Sequence, residues 1–178
     1  NGFSQAPHFF DLPVQPVLKA ACGRDAAKAQ AYADKWGFES IETDWKALIK
    51  RSDIDLIDIC TPNNSHAEIA IAAAKAGKIV MCEKPLGLDA GEVRAMYRAC
   101  RDAQVVHMTA FTYRFAPSMR YMRHLAHSGA LGELRHFRSQ RFLDWPETSW
   151  GWRQYKKQAG AGDLFDMTIH RIDFAIDL

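Results

Sequence analysis

The sequence predicts an α/β chain built on a doubly wound parallel sheet. Short apolar runs at residues 17–22, 55–60, 79–82 and 105–110 have the length and composition of buried strands. Helical stretches with recognisable start and stop residues lie between them. The turns joining strand to helix are short, and parallel strands need such helical crossovers to return the chain to the same edge.

Residues 1–10 read as the end of a helix running into Leu12-Pro13. After the strand at 17–22, Asp25 caps a helix over 26–36 that Gly37 ends. Asp44 caps a short helix over 45–50, and 55–60 follows as a strand with Leu-Ile-Asp-Ile-Cys at its centre. Thr61-Pro62-Asn63-Asn64 is a turn, and Ser65 with Glu68 has the spacing of a capping box for a helix ending near Ala76. Gly77 stops that helix, and Lys78 leads into the strand at 79–82. Asp89 with Glu92 repeats the capping-box spacing, for a helix to about Ala103, and 105–110 is the last strand of the series. The pattern then changes. A helix over 117–128 ends at Gly129, 134–143 is a longer strand candidate, and 144–162 is irregular and rich in Trp, Pro and Gly. A final helix starts near Gly162-Asp163. The domain boundary is expected near Thr112, giving domains 1–111 and 112–178. No Gly-x-Gly-x-x-Gly loop precedes the first crossover helix, and one helix with one strand cannot bury a second domain's core. The 178 residues therefore read as a segment of a longer chain.

Composition narrows the function classes. Hydrophobic residues make up 48% of the chain and the net charge is only +2, which suits a globular core and makes no general case for nucleic acid. Arg114, Arg120, Arg123, Arg135, Arg138 and Arg141 form a local excess with Glu133 the sole acid among them, read as a solvated face or an interface. Cys22, Cys60, Cys82 and Cys100 form no Cys-x-x-Cys pair, so zinc and redox motifs are unsupported. Three of them end strand-like runs and read as small core residues, reduced in a cytoplasmic protein. No apolar run approaches the ~18 residues of a membrane span.

Chemistry concentrates at three places. Glu83-Lys84-Pro85 ends a strand, and α/β folds bind ligands at that carboxyl edge. Pro85 restricts Lys84 and stiffens the turn; a plain surface Glu–Lys pair fits the same spacing. Asp166 and His170 are four apart on a helix, where a carboxylate can orient an imidazole and raise its proton affinity. Asp173 continues that face. An ordinary surface ion pair is the alternative, and the set lacks the extra His or Cys of a zinc site. Thr61-Pro62-Asn63-Asn64-Ser65-His66 opens a helix with its N–H groups toward the crevice, or is a simple capping turn. At the second-strand position Gly23 stands where an acid would hold the ribose of NAD, and the following Arg24 tilts the expectation toward NADP.

Together these residues resemble the glucose–fructose oxidoreductase/inositol dehydrogenase/MocA family. The resemblance runs through Thr61-Pro62-Asn63-x-x-His66, Ala76-Gly77-Lys78-x-Val80-x-x-Glu83-Lys84-Pro85, Phe111-Thr112-Tyr113-Arg114-Phe115, Gly129-x-x-Gly132-Glu133-Leu134 and Gly160-Ala161-Gly162-x-x-x-Asp166-x-x-x-His170-x-x-Asp173. It covers nearly the whole chain. It implies a Rossmann-like domain, here without its first strand and Gly-rich loop. The start of an α/β C-terminal domain with a mainly antiparallel sheet follows. It implies an NAD(P)-dependent dehydrogenase acting on a sugar, glycoside or cyclitol hydroxyl, cytoplasmic, in a homodimer or homotetramer, with no metal, nucleic-acid or membrane partner. By resemblance Lys84, Asp166 and His170 are catalytic, His170 being the acid/base, Asp166 orienting it and Lys84 positioning substrate. Gly23, Arg24, Thr61, Pro62, Asn63, His66, Glu83, Lys84, Tyr113, Arg114, Trp152 and Arg153 face the cofactor, NAD or NADP. Lys84, Tyr113, Asp166 and His170 meet the substrate. Trp145, Trp150 and Trp152 suit either a platform for a sugar ring or packing within the second domain. Thr168 and Thr112 stand where many members carry Gly and Asn. A non-catalytic NAD(P)- or sugar-sensing protein on the same fold is the rival reading.

Overall fold

Gly37 shows how local chemistry sets the first unit. The computed structural model describes residues 2–178, and they pack as two units, one ending at Ile57 and the other Asp58–Leu178. In the first, helix α1 (Gly2–Phe9) precedes strand β1 (Ala20–Cys22), helix α2 (Ala26–Trp36), strand β2 (Ser40–Glu42) and helix α3 (Trp45–Lys50). Asp25 accepts a hydrogen bond from the Lys28 N–H at the start of α2. Gly37 ends the helix at φ +78°, a left-handed conformation a β-carbon would disfavour, and its N–H reaches Ala33 O at 2.8 Å. The turn carries the chain into β2, which pairs in parallel with β1: Ala20 opposite Ser40, Cys22 opposite Glu42. Ala29 and Ala33 turn the buried side of α2 inward. β2 is a strand the sequence did not announce, since three residues are too few to display an alternating pattern.

In the second unit the hydrogen-bonded strand order is β3–β4–β5, with β3 Leu56–Ile59, β4 Ile79–Cys82 and β5 His107–Thr109. β4 and β5 run parallel, Val80 opposite His107 and Cys82 opposite Thr109. Helix α4 (His66–Lys75) connects β3 to β4, and α5 (Ala90–Asp102) connects β4 to β5. Ala70, Ala73 and Ala74 on α4 are almost wholly buried. Small side chains there let α5 and the sheet approach closely. The result is a Rossmann-like parallel sheet with helical crossovers. It is drawn as two hydrogen-bonded sheets, β1–β2 and β3–β4–β5, rather than as the single sheet expected.

Beyond β5, a 3₁₀ turn (Thr112–Phe115) leads into α6 (Pro117–His127), with Pro117 in the first turn where its missing N–H costs nothing. The strand expected at 134–143 does not form. No strand among the described residues lies beside it, and a strand needs a neighbour to satisfy its backbone. Short 3₁₀ turns (Glu147–Ser149, Trp152–Gln154) and α7 (Lys156–Ala159) follow. A five-residue π-helical turn, Leu164–Thr168, then runs directly into α8 (Ile169–Asp177). Gly160 makes that approach possible: at φ +83°, a β-carbon on it would sit 2.8 Å from the Phe165 ring.

Two further expectations are corrected. Ser65 makes no capping bond; its hydroxyl donates instead to Pro62 O (2.8 Å) and hydrogen-bonds the Thr61 hydroxyl (2.7 Å), so the loop before α4 is held by its own polar groups. Cys22 and Cys60 are exposed rather than core residues, while Cys82 and Cys100 are buried. Burial pushes the Cys82 thiol up to about 12, so it packs as a neutral side chain. No helix among the described residues is long and apolar enough to cross a membrane.

The cap of α5 is the clearest local determinant. Asp89 accepts from both Gly91 N–H (2.7 Å) and Glu92 N–H (2.9 Å), while Glu92 reaches back to Leu88 N–H rather than to its own cap residue. Asp89→Ala is expected to cost about 1 kcal/mol of unfolding free energy, and Asp89→Asn clearly less, read from the denaturation midpoint at unchanged slope.

Candidate active site

Parallel strands deliver their carboxyl ends to one edge, and here β3 and β4 are neighbours in the sheet. β3 ends in Thr61-Pro62-Asn63 and β4 in Glu83-Lys84-Pro85; Glu83 N–H bonds Ile59 O at 2.9 Å, holding the two exits in register. His66 ties the loops together. Its Nδ1 lies 2.9 Å from Pro85 O and its Nε2 2.8 Å from Thr61 O, and the side chain is wholly buried. His66, expected either at the cofactor-facing loop or as a packed core histidine, is buried here with both ring nitrogens against backbone carbonyls. Asn63, also buried, donates from Nδ2 to Ala159 O at 3.0 Å, fastening the first loop to α7. The Lys84–Pro85 peptide is cis.

The ammonium of Lys84 is the centre of the arrangement. It donates to the Asp166 carboxylate (Oδ1, 2.8 Å) and to the Asp166 backbone carbonyl (2.6 Å), with side-chain exposures of 14% and 19% for the pair. Asp166 lies inside the π-helical turn, Leu164–Thr168. Arg153 approaches the same carboxylate oxygen at 3.5 Å, and its guanidinium covers the Trp152 ring at 4.5 Å. Trp152 is thereby partly occupied by its own neighbour. Trp150 donates to Trp145 O at 3.3 Å, and both rings are largely exposed.

His170 sits one turn beyond Asp166 but does not contact its carboxylate, which is taken up by Lys84 and Arg153. The orienting contact expected between Asp166 and His170 is therefore absent: an ammonium offers the carboxylate a stronger partner than a neutral ring does. The imidazole lies instead against Tyr113, stacked at 4.7 Å with an interplanar angle of 14°, and edge-on to Phe111 at 6.3 Å. It is 7% exposed, and Nδ1 is buried with no hydrogen-bond partner among the described residues. Burial lowers its proton affinity below the ordinary value of 6.5, and the Lys84 charge lowers it further; Glu83 and Asp166 act in the opposite sense.

Tyr113 and Arg114 share the 3₁₀ turn after β5. Tyr113 Oη accepts from Arg141 at 3.0 Å. Arg114, expected to face cofactor, directs its guanidinium to carboxylates of α8: Nε and Nη2 to the two oxygens of Asp173 (2.8 and 2.6 Å), Nη1 to Asp177 (3.2 Å). Gly23 and Arg24 follow β1 in the first unit, where Gly23 N–H bonds Glu42 O and Arg24 is exposed. The pairing of Asp173 with Arg114, Asn63's fastening to Ala159 and the Phe111 edge were not foreseen from the sequence. Only the Asp173 spacing, three residues after His170, carried a signal.

The chain matches the model of an oxidoreductase family with an NAD-binding Rossmann fold (GFO/IDH/MocA) over residues 3–111, and that of the family's C-terminal domain over 119–178. It is 41% identical over 177 residues to a levoglucosan dehydrogenase of Pseudarthrobacter phenanthrenivorans, covering 97% of this chain and 45% of that protein. Among solved structures, an oxidoreductase domain protein from Kribbella flavida superposes with a TM-score of 0.94 at 44% identity, covering 99% of this chain and 48% of the other. A levoglucosan dehydrogenase in complex with NADH and levoglucosan gives 0.89 at 39% identity, covering 99% and 49%. The chain spans about half the length of the relatives it matches. On these matches, and on the order of its Thr-Pro-Asn, Glu-Lys-Pro and Asp-x-x-x-His segments, the chain belongs to the GFO/IDH/MocA oxidoreductase family.

Proposed function

We propose that this chain carries the catalytic residues of an NAD(P)-dependent dehydrogenase acting on a secondary hydroxyl of a sugar, glycoside or cyclitol. Residues 1–111 would serve the cofactor, and residues 112–178 would begin a substrate and oligomerisation domain of a cytoplasmic homodimer or homotetramer. The observation that carries the reading is the meeting of Lys84, Asp166 and His170: a two-point Lys84–Asp166 pair beside a buried imidazole whose Nδ1 has no protein partner.

The residues present fit a nicotinamide. Thr61, Pro62, Glu83 and Lys84 line the carboxyl edge of adjacent strands, where doubly wound folds hold such ligands. Asn63 and His66 shape those loops from beneath; Trp152 and Arg153 approach from the other side through Asp166. Bound nicotinamide supplies the hydride acceptor or donor. His170 takes the proton of the substrate hydroxyl, a role suited to an imidazole held neutral by burial and by the neighbouring ammonium. Lys84 stabilises negative charge as it develops on the same oxygen. Asp166 holds Lys84 rather than His170, so its contribution is to aim the ammonium. Gly23 and Arg24 would meet the ribose end of the cofactor, with Arg24 tilting the choice toward NADP.

In the complete protein, Lys84→Ala and His170→Ala are each expected to lower turnover at least about tenfold, the lower edge of general acid–base contributions. The assay is reduction of NAD and NADP with a panel of sugars, glycosides and cyclitols. Near-native turnover in both variants would sink the assignment. Binding of NAD(P) or sugar with no turnover on the whole panel would favour the sensing protein.

Histidine NMR provides a second check. His170 is expected to titrate below its ordinary 6.5, and Lys84→Met to move it upward by removing a positive neighbour. Because the folded imidazole resists protonation, the unfolded chain takes up that proton first as pH falls. Stability is therefore lost as pH drops below 6.5 and levels off once the folded imidazole protonates; His170→Gln is expected to flatten that part of the melting-temperature profile.

A further inference from the structure

The orientation of His170 needs an explanation, since the neighbour expected to supply it is engaged elsewhere. The described contacts of its ring are with aromatic side chains. The nearer, Tyr113, lies almost parallel at 4.7 Å. A stacked ring fixes the plane of an imidazole without occupying either nitrogen, but only if the stacking partner is itself held. Tyr113 is half-buried, and its hydroxyl is met by Arg141, whose side chain is exposed. The firmer anchor is next to it in the chain. Arg114 grips Asp173 through both carboxylate oxygens, and Asp173 is 7% exposed. A planar guanidinium on a planar carboxylate sets direction as well as distance.

Both partners have the right geometry for coupling. Tyr113 and Arg114 are consecutive in a 3₁₀ turn braced by Arg114 N–H to Phe111 O and Ala116 N–H to Tyr113 O, each 3.2 Å. His170 and Asp173 are three apart on α8 and lie on one side of it. The turn and the helix are thus joined at two adjacent points, one a stack and one a forked ion pair. Asp177 adds a third contact, accepting from Arg114 and Arg123 at 3.2 Å each. We propose that Asp173, through its forked ion pair with Arg114, is a positioning residue that holds Tyr113 against the face of His170 and so sets the angle of the imidazole. Among the described residues Asp173 makes no hydrogen bond or ion pair with Lys84, Asp166 or the His170 ring; its carboxylate is held by Arg114, and it acts through the turn. The inference rests on the reading of His170 as the acid/base.

The test uses the complete enzyme and four variants: Asp173→Asn, Asp173→Glu, Arg114→Lys and Tyr113→Leu, with the double Tyr113→Leu/Asp173→Asn. Asp173→Asn is expected to lower kcat about tenfold while KM for the nicotinamide cofactor stays within about twofold, the pattern of a lost transition-state contribution. The double variant is expected to match Tyr113→Leu within about twofold, because both remove one coupled element. Asp173→Glu, which keeps a forked acceptor, is expected to recover part of kcat. The His170 proton resonances are expected to shift in Asp173→Asn as the Tyr113 ring current is lost. That signal is read without turnover, against a background of Lys84, Glu83, Asp166 and Arg171 as the charged groups facing the ring. Should Asp173→Asn fail to fold, Arg114→Lys keeps the charge, loses the fork and takes the same measurements. Multiplying losses in the double variant, or unchanged His170 resonances, overturn the proposal. A raised cofactor KM with kcat intact overturns it too, and makes Arg114 a cofactor ligand. Failure of the acid/base reading is separable: His170→Ala then retains turnover even if the Asp173→Asn resonances move.

Discussion

The Lys84–Asp166 contact is the constraint on which the second unit's site depends. An ammonium drawn largely out of water must recover its hydration from protein acceptors, and two on one residue, a carboxylate and a carbonyl, do so here. Removing one partner of such a pair costs about 3–5 kcal/mol because the other charge is left unpaired. That demand explains features that look unrelated in the sequence. The π-helical turn carries both Asp166 acceptors. Gly160 leaves room for Phe165 immediately before it. His66 and Asn63 spend their polar groups on backbone carbonyls, holding the loops from which Lys84 and α7 emerge.

The same contact shapes the electrostatics around His170. A carboxylate one helical turn away would ordinarily raise an imidazole's proton affinity. With Asp166 neutralised by Lys84, burial dominates and the ammonium adds to it, so the ring is held on the neutral side. In the proposed reaction that is the form able to accept a proton from a hydroxyl. In the proposed reaction the ammonium would serve two ends: it would meet charge developing on the reacting oxygen, and with burial it lowers the proton affinity of the adjacent imidazole. The aromatic face of Tyr113 complements this, orienting the ring without competing for its nitrogens.

The carboxylates of the π-helical turn and of α8 are divided between partners in a consistent way. Asp166 goes to the strand-end lysine, and Asp173 and Asp177 go to arginines of the turn and helix that follow β5. Part of the arginine excess in the middle of the chain is accounted for by these pairs. Arg114 and Arg123 face acids of α8, Arg141 meets Tyr113, and Arg135 pairs with Glu133 at the surface. Residues 134–143, by contrast, remain exposed and unpaired in backbone terms, as an alternating segment must when no strand lies alongside it.

Sequence by itself determined the elements whose causes are local. Asp25 with Gly37, Asp44, Asp89 and Pro117 mark helix boundaries because capping bonds, left-handed turns and a fixed φ involve neighbours within a few residues. It also put forward Lys84, Asp166 and His170 as candidates for one site, since they stand in motifs whose order is specific. Tertiary structure decided what each of those residues touches. Asp166 turned to Lys84, 82 positions away in the chain, instead of to His170, four away. Arg114 turned to Asp173, and His66 to two loops. An ion pair or a stacked ring is chosen by three-dimensional proximity and by the free energy of burying charge, and neither is written in the spacing of residues along one helix. The Leu134–Leu143 segment makes the same point in reverse: its residues suit a strand, but a strand exists only where a partner backbone receives its hydrogen bonds.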